Sequence, residues 1–118
     1  MPIISSTLKK AENLDQIYQR LGICEQEITK FCQKWQITEL ALFGSILRDD
    51  FNSESDIDFL VTFGDDVSIG IFVLYDIEKE LKFMVKRNID FIFKQNIEKS
   101  PNWIRRGNIL GTAQVIYN

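Results

Sequence analysis

Apolar residues recur at helical spacing twice in the first third of the chain. Leu14, Ile17, Tyr18 and Leu21 share one face of a helix expected over 11–21, and Gly22 is placed to stop it. Ile28, Phe31, Cys32 and Trp35 repeat the pattern over 25–35. The period then shortens. Leu40–Phe43 reads as a short strand broken by Gly44, and Ser45 is placed to cap a short helix to about Phe51. Ser55–Phe63 reads as a strand and Gly64-Asp65-Asp66 as a turn. A long helix is expected from Ser68 or nearby, through Phe72, Leu74, Ile77, Leu81 and Val85, followed by a strand over Asn88–Phe93. Ser100-Pro101 opens a last helix, Gly111 ends it, and Ala113–Tyr117 closes as a strand. Helices, then alternating strands and helices, predict a small α/β (α+β) domain with helices packed on a sheet.

A length of 118 residues fits one domain over 1–118, with N-terminal helices at about 11–35 and a core at about 38–118. Hydrophobic residues make up 45% and aromatics 12%, which excludes a disordered chain. A net charge of −3 argues against non-specific nucleic-acid binding, which needs a basic field. No apolar run reaches the length of a membrane span, and the opening MPIISSTLKK has no apolar leader core. With no disulfide framework, the expected location is the cytoplasm. The chain has no His and two Cys, so zinc sites of the Cys/His kind are excluded. Cys24 and Cys32 are expected on one helix, ~12 Å apart along its axis, too far for a disulfide. They read as two half-buried thiols.

The stretch FGSILRDDFNSESDIDFLV, from Phe43 to Val61, changes the picture. It holds Gly44-Ser45, ten further residues, and then Asp56-x-Asp58 on an apolar run. Asp90 follows in NIDFIF. Alone, a D-x-D on a strand is a solvated face and a Gly-Ser pair is a turn. Together they describe a site. Residues i and i+2 of a strand share a face, which sets Asp56 and Asp58 ~6.6 Å apart along it. Two like charges ~4 Å apart near a protein surface repel by about 4 kcal/mol at an effective dielectric of ~20. A cation between them removes that cost. Carboxylate oxygens without His or Cys select a hard ion, most naturally Mg²⁺. With Asp90 supplying further oxygens, three carboxylates can bridge two ions ~3.5–4 Å apart, the arrangement used for in-line displacement at phosphorus. Gly44 lets backbone approach a ligand, and a helix starting at Ser45 points N–H groups and a hydroxyl at an anion.

Gly44-Ser45, ten residues, Asp56-x-Asp58 and a later strand Asp90 resemble the nucleotidyltransferase superfamily that includes DNA polymerase beta. Within it, LALFGS, SDIDFLVTF, NIDFIF and the tail IRRGNILGTAQVIY resemble the minimal nucleotidyltransferases, over roughly Leu40 to Tyr117. That group commonly serves as the antitoxin partner of HEPN-domain ribonuclease toxins. The resemblance implies a mixed sheet and ATP as substrate. It implies that Asp56 and Asp58 bind both Mg²⁺ ions, that Asp90 completes the site and helps deprotonate the attacking hydroxyl, and that Gly44 and Ser45 hold the triphosphate. Arg48 is retained from the group's motif as a phosphate contact. Asp49-Asp50 departs from the Gly-(Glu or Thr) that many relatives carry there. The function implied is transfer of AMP from ATP to a hydroxyl, tyrosine above all, of a cognate HEPN toxin in a hetero-oligomer. Two alternatives stand beside it: an antitoxin that only occludes its toxin, and a transferase acting on a small molecule.

Other features read more plainly. Lys79, Lys82, Lys86 and Arg87 suit the C-terminal end of the long helix as a solvated face. Arg105-Arg106 reads as solvated surface, with partner or phosphate binding as the alternative. Trp35 and Trp103 read as core or interface anchors. Phe72, Leu74 and Tyr75 suit a helix that is core on one side and partner-binding on the other.

Overall fold

A computed structural model describes residues 7–118. The reading of the leader rested partly on residues 1–6, which lie outside the described residues. Strand β1 is Lys9–Lys10, helix α1 Leu14–Leu21, α2 Glu25–Trp35 and β2 Ile37–Phe43. A 3₁₀ turn at Gly44–Leu47 leads to β3, Ile57–Phe63. Helix α3 is Ile71–Val85, β4 Ile89–Phe93, α4 Lys94–Glu98, α5 Trp103–Thr112 and β5 Gln114–Tyr117. The described strands form one five-stranded sheet in the order β1-β5-β2-β3-β4. It is mixed: β2 runs antiparallel to both neighbours, while β3 and β4 are parallel and joined through α3. The expected α/β class and mixed sheet are what the chain adopts.

Period-two alternation in β2 and β3 divides the core into two layers. Leu40, Leu42, Ile57, Phe59 and Val61 point to one face, against Ile17 and Leu21 of α1, Ile28 and Phe31 of α2, and Ile77 and Leu81 of α3. Ala41, Leu60 and Val115 point to the other face, against Ile97 of α4 and Ile109 of α5. Any polar residue that replaces an apolar one on the second face of β3 is therefore presented toward α5.

Local chemistry explains the helix ends. Gly22 takes a left-handed φ of 76° and ends α1, its N–H donating to the Tyr18 carbonyl. Cys24 caps α2 in a capping box with Glu27. The thiols differ from the even, half-buried pair expected. Cys24 is exposed, whereas Cys32 is buried, and burial pushes its thiol up to about 12, so it is inert.

Several elements and boundaries depart from expectation. β1 and α4 leave no mark in the sequence pattern, because two and five residues are too few to show a period. α3 begins at Ile71 after an extended Gly70, not near Ser68, since a turn from Gly64 to Val67 precedes it. α5 starts where the Asn102 side chain accepts from the Arg105 N–H at 3.1 Å, and it runs through Gly111 to Thr112. The helix expected from Ser45 to about Phe51 is only the 3₁₀ turn; Asn52 closes a local turn instead, its side chain accepting from the Glu54 N–H at 2.8 Å.

Phe59 is fully buried where β3 meets the helices of the first layer. Phe59→Ala should cost about 3–5 kcal/mol, read as a lower urea midpoint at unchanged slope. A loss under ~1 kcal/mol would mean that this layer is not the main core.

Candidate active site

Asp58 is the second residue of β3, on the face that looks toward α5. Its register partners are Phe43 on β2 and Asp90 on β4. Parallel pairing in register puts Asp58 and Asp90 side by side, strands ~4.8 Å apart. The two carboxyls share a hydrogen bond, and Asp58 is half-buried while Asp90 is exposed. The Asp58 carboxyl is pushed up to about 6. Burial is the largest cause, followed by the hydrogen bond and charge of Asp90 and the charge of Asp56, with Arg48 pulling the other way. At neutral pH this pair is a concentration of negative charge that a hard cation would relieve, and its oxygen donors fit such an ion.

Gly44 makes room for the pair. Its φ is +80°, and a Cβ built there would overlap Asp58 Oδ2. Any side chain at 44 would meet both a left-handed backbone and a displaced carboxyl. Ser45 does not cap a helix. Its hydroxyl donates to the Asp56 carbonyl at 3.4 Å and ties the turn to the segment entering β3. A four-residue turn sums little macrodipole, so the helix-dipole part of the expected anion attraction is small here.

Asp56 stands just before β3, not within it, and is exposed. Asp58 and Asp90 line a cleft of about 540 Å³ with Phe43, Asn102, Arg105 and Asn108. Asp56 lines a neighbouring cavity of about 610 Å³. The structure thus pairs Asp58 with Asp90 and sets Asp56 at an adjoining rim. Among the described residues no three Asp, Glu, Cys or His side chains are already gathered as a metal-binding group.

The segment 48–56 that carries Asp56 is held from both sides. Arg20 of α1 donates to the carbonyls of Ile46 and Arg48, at 2.8 and 2.7 Å. Arg87, after α3, donates to the carbonyls of Asn52 and Ser55, at 2.9 and 3.0 Å. Their guanidinium carbons lie 5.2 and 4.5 Å from the centre of the Phe51 ring. Arg48 is exposed and paired with Asp50 at 3.1 Å, which holds the Asp50 carboxyl below its usual range. An exposed pair of this kind exchanges easily for another anion. Asp49, the departure from the resembled motif, needs no left-handed backbone: among the described non-glycine residues only Gln36 and Lys86 have positive φ.

Arg105 is exposed, as its reading as solvated surface expects. α5 also sets it at the cleft of Asp58 and Asp90, which favours the phosphate alternative over plain solvation. Arg106 turns away, donating to the Ser100 carbonyl at 2.6 Å. The signal was present in the spacing, since Arg105 precedes the buried Ile109 by one helical turn and lies near the sheet-facing side. Trp103 is not a core anchor, being 70% exposed. Trp35 is half-buried, with its indole N–H donating to Glu80 at 2.8 Å.

Comparisons with known proteins agree with this architecture. Residues 24–116 match the family model described as a nucleotidyltransferase domain. A Methanocaldococcus jannaschii protein, named for an inferred protein adenylyltransferase activity, is 32% identical over 82 residues, or 70% of this chain and 80% of that protein. A toxin–antitoxin crystal structure with AMP-PNP superposes with a TM-score of 0.61 at 15% identity, covering 81% of this chain and 74% of the other. A structure of the toxin–antitoxin MntA-HepT gives 0.53 at 14%, covering 80% and 69%. A protein assigned as a minimal nucleotidyltransferase gives 0.60 at 19%, covering 86% and 94%. At such identities the solved structures share the fold.

Two outcomes follow from the geometry. The folded protein favours protonated Asp58, so this group contributes stability fully present below ~4 and lost as pH rises through about 6. Asp58→Asn should therefore stabilise the cation-free protein at pH ~7.5 by about 1 kcal/mol, after discounting for solvent screening, and by nothing at pH ~4. Urea titrations of both proteins at both pH values test this; a pH-independent difference would refute it. Gly44→Ala should cost about 1–2 kcal/mol from the backbone alone, and Asp58→Asn should recover part of it because the smaller charge conflict lets residue 58 move. Strict additivity of the two substitutions would show that they do not meet.

Proposed function

This chain belongs to the nucleotidyltransferase domain family, and from that premise we propose that it transfers AMP from ATP to a hydroxyl of a partner toxin, as the antitoxin of a toxin–antitoxin pair. We read 1–118 as a single nucleotidyltransferase domain. The observation that carries the proposal is the Asp58–Asp90 pair, held side by side under a glycine that has no room for a side chain. A protein that only occluded its toxin would have no physical need to maintain like charges in contact. The adenine nucleotide is supported by the AMP-PNP of the neighbouring toxin–antitoxin structure, and the protein acceptor by the name of the Methanocaldococcus jannaschii relative.

Asp56, Asp58 and Asp90 are the residues that would hold Mg²⁺, two ions by the number of carboxylates. When bound, Mg²⁺ would supply charge neutralisation at the triphosphate and at the leaving pyrophosphate. The chain's own groups do the rest. Gly44 leaves the floor of the site open, and Ser45 fixes the turn to the Asp56 carbonyl. Arg105 lines the same cleft as Asp58 and Asp90 and would pair with phosphate there. Arg48 reaches phosphate by exchanging Asp50 for it. Asp90, exposed in the cleft, takes the proton of the acceptor hydroxyl. That oxygen forms a bond to the α-phosphorus as the bond to pyrophosphate breaks, and the electron pair leaves with pyrophosphate. Tyrosine is the acceptor that we favour, and a HEPN-type toxin the partner. No helix among the described residues is long and apolar enough to cross a membrane, and action in the cytoplasm accords with ATP as substrate.

Three experiments test this reading. Mg²⁺ with ATP should raise the melting temperature of the wild type by mass action, and Asp56→Asn should abolish that shift while keeping the fold. Mixing the chain with its co-encoded toxin, ATP and Mg²⁺ should add one or more AMP masses to the toxin. The Asp56→Asn, Asp58→Asn variant should add none. If that variant still protects cells as well as wild type and no mass is ever added, inhibition is by occlusion and transfer is refuted. Arg105→Ala should weaken ATP binding about tenfold with little change in stability, since a charge-assisted phosphate contact is worth ~1.5–3 kcal/mol.

A further inference from the structure

Helix α3 is apolar on both faces. Ile77, Leu81 and Val85 are buried against the sheet. On the opposite side Phe72 is 84%, Tyr75 63% and Phe83 82% exposed. At 100° per residue these three fall in one band, interleaved with Lys79, Lys82 and Lys86. Exposed aromatics aligned along a helix mark a surface that something covers, and here the three lysines outnumber the one acid beside them, exposed Asp76. At its C-terminal end the band opens into the cavity of about 610 Å³, lined by Lys79, Lys82, Phe83 and Lys86 on one side and by Asp56 on the other. None of the ion pairs formed by Lys34, Arg48 and Lys94 engages these three lysines. Lys86 also caps α3 in a left-handed conformation, φ 57°, where glycine is the favoured residue. A lysine kept there at a backbone cost leaves an amine at the cavity.

We propose that the outer face of α3 and the cavity at its end dock the acceptor, and that the occupant is an acidic, aromatic segment of a partner protein. The lysines select negative charge and Phe72, Tyr75 and Phe83 select apolar side chains. Asp56 at the far wall places an entering hydroxyl beside the acids, while the cleft of Arg105 is left for the nucleotide. A nucleic acid fits less well. A polynucleotide would engage the lysines at the cavity but leave the apolar band toward Phe72 uncovered. The role of the segment as acceptor rests on the adenylyl-transfer reading; its binding does not.

The probe is the fluorescent copolymer poly(Glu,Tyr), with poly(Glu) and poly(Lys,Tyr) as controls, titrated without ATP. Poly(Glu,Tyr) should bind more tightly than either control. Lys79→Glu, Lys82→Glu together should weaken it at least about tenfold, and Phe83→Ser by about fivefold, with ATP binding unchanged. Lys86→Gly should weaken it without lowering the melting temperature, which separates lost binding from lost folding. Binding that is equal in all variants, or equal for poly(Glu), overturns the proposal. So does single-stranded RNA that binds more tightly and is released by the same lysine changes, or a homodimer dissolved by Phe72→Ser. AMP incorporation into the bound copolymer is read separately. Lysine-dependent binding without incorporation keeps the docking surface and removes its role as acceptor site, the transfer reading itself being decided on the toxin; incorporation indifferent to the lysines removes the docking surface and keeps the transfer.

Discussion

The register of β3 against β4 brings Asp58 and Asp90 side by side, and the missing side chain at Gly44 leaves the space in which they sit. Neither feature favours the bare fold. Two acids in contact, one half-buried, hold the Asp58 carboxyl at about 6, so part of its charge is unwelcome at neutral pH. A left-handed glycine brings its own entropy cost in the unfolded chain. The sheet tolerates both because Ile57, Phe59 and Val61, alternating with the site residue, are fully buried on the opposite face. Burial on one face offsets repulsion on the other, and period-two alternation couples the two in a single strand.

The second acid segment is governed differently. Asp56 lies outside the ladder, so no strand register fixes it. Its position depends on Ser45 below and on two arginines, from α1 and from the end of α3, that share the ring of Phe51 and donate to four carbonyls. These bonds satisfy backbone acceptors that a loop rich in Asp, Asn and Ser would otherwise leave to water. The result is a site with one rigid half on the sheet and one half steadied by helices distant in sequence. The second half is where ligand-linked movement costs least.

Helix α3 ties the site to its surroundings. Its buried stripe supports β3 and β4, the strands of the paired acids, and its open stripe runs toward the cavity beside Asp56. One helix thus meets the core, the acids and the surroundings at once. This explains why its sequence is too apolar to show a clean amphipathic pattern.

Much of this was legible in the sequence. The strands over Leu40–Phe43, 55–63 and 88–93 and the long helix follow from periodicity, which is set by local geometry. The three acids and Gly44-Ser45 stand out because polar residues interrupt apolar runs at fixed spacing. The sequence did not determine the fate of Ser45–Phe51, where competing side-chain hydrogen bonds win over a helix, or the two-residue β1 and five-residue α4, which exist only through neighbours. Nor did it determine that Arg105 lines the cleft, that Arg20 and Arg87 share Phe51, or that Asp56 lines a different cavity from Asp58. Those facts depend on contacts between residues far apart in the chain, and period and composition carry information only about neighbours along it.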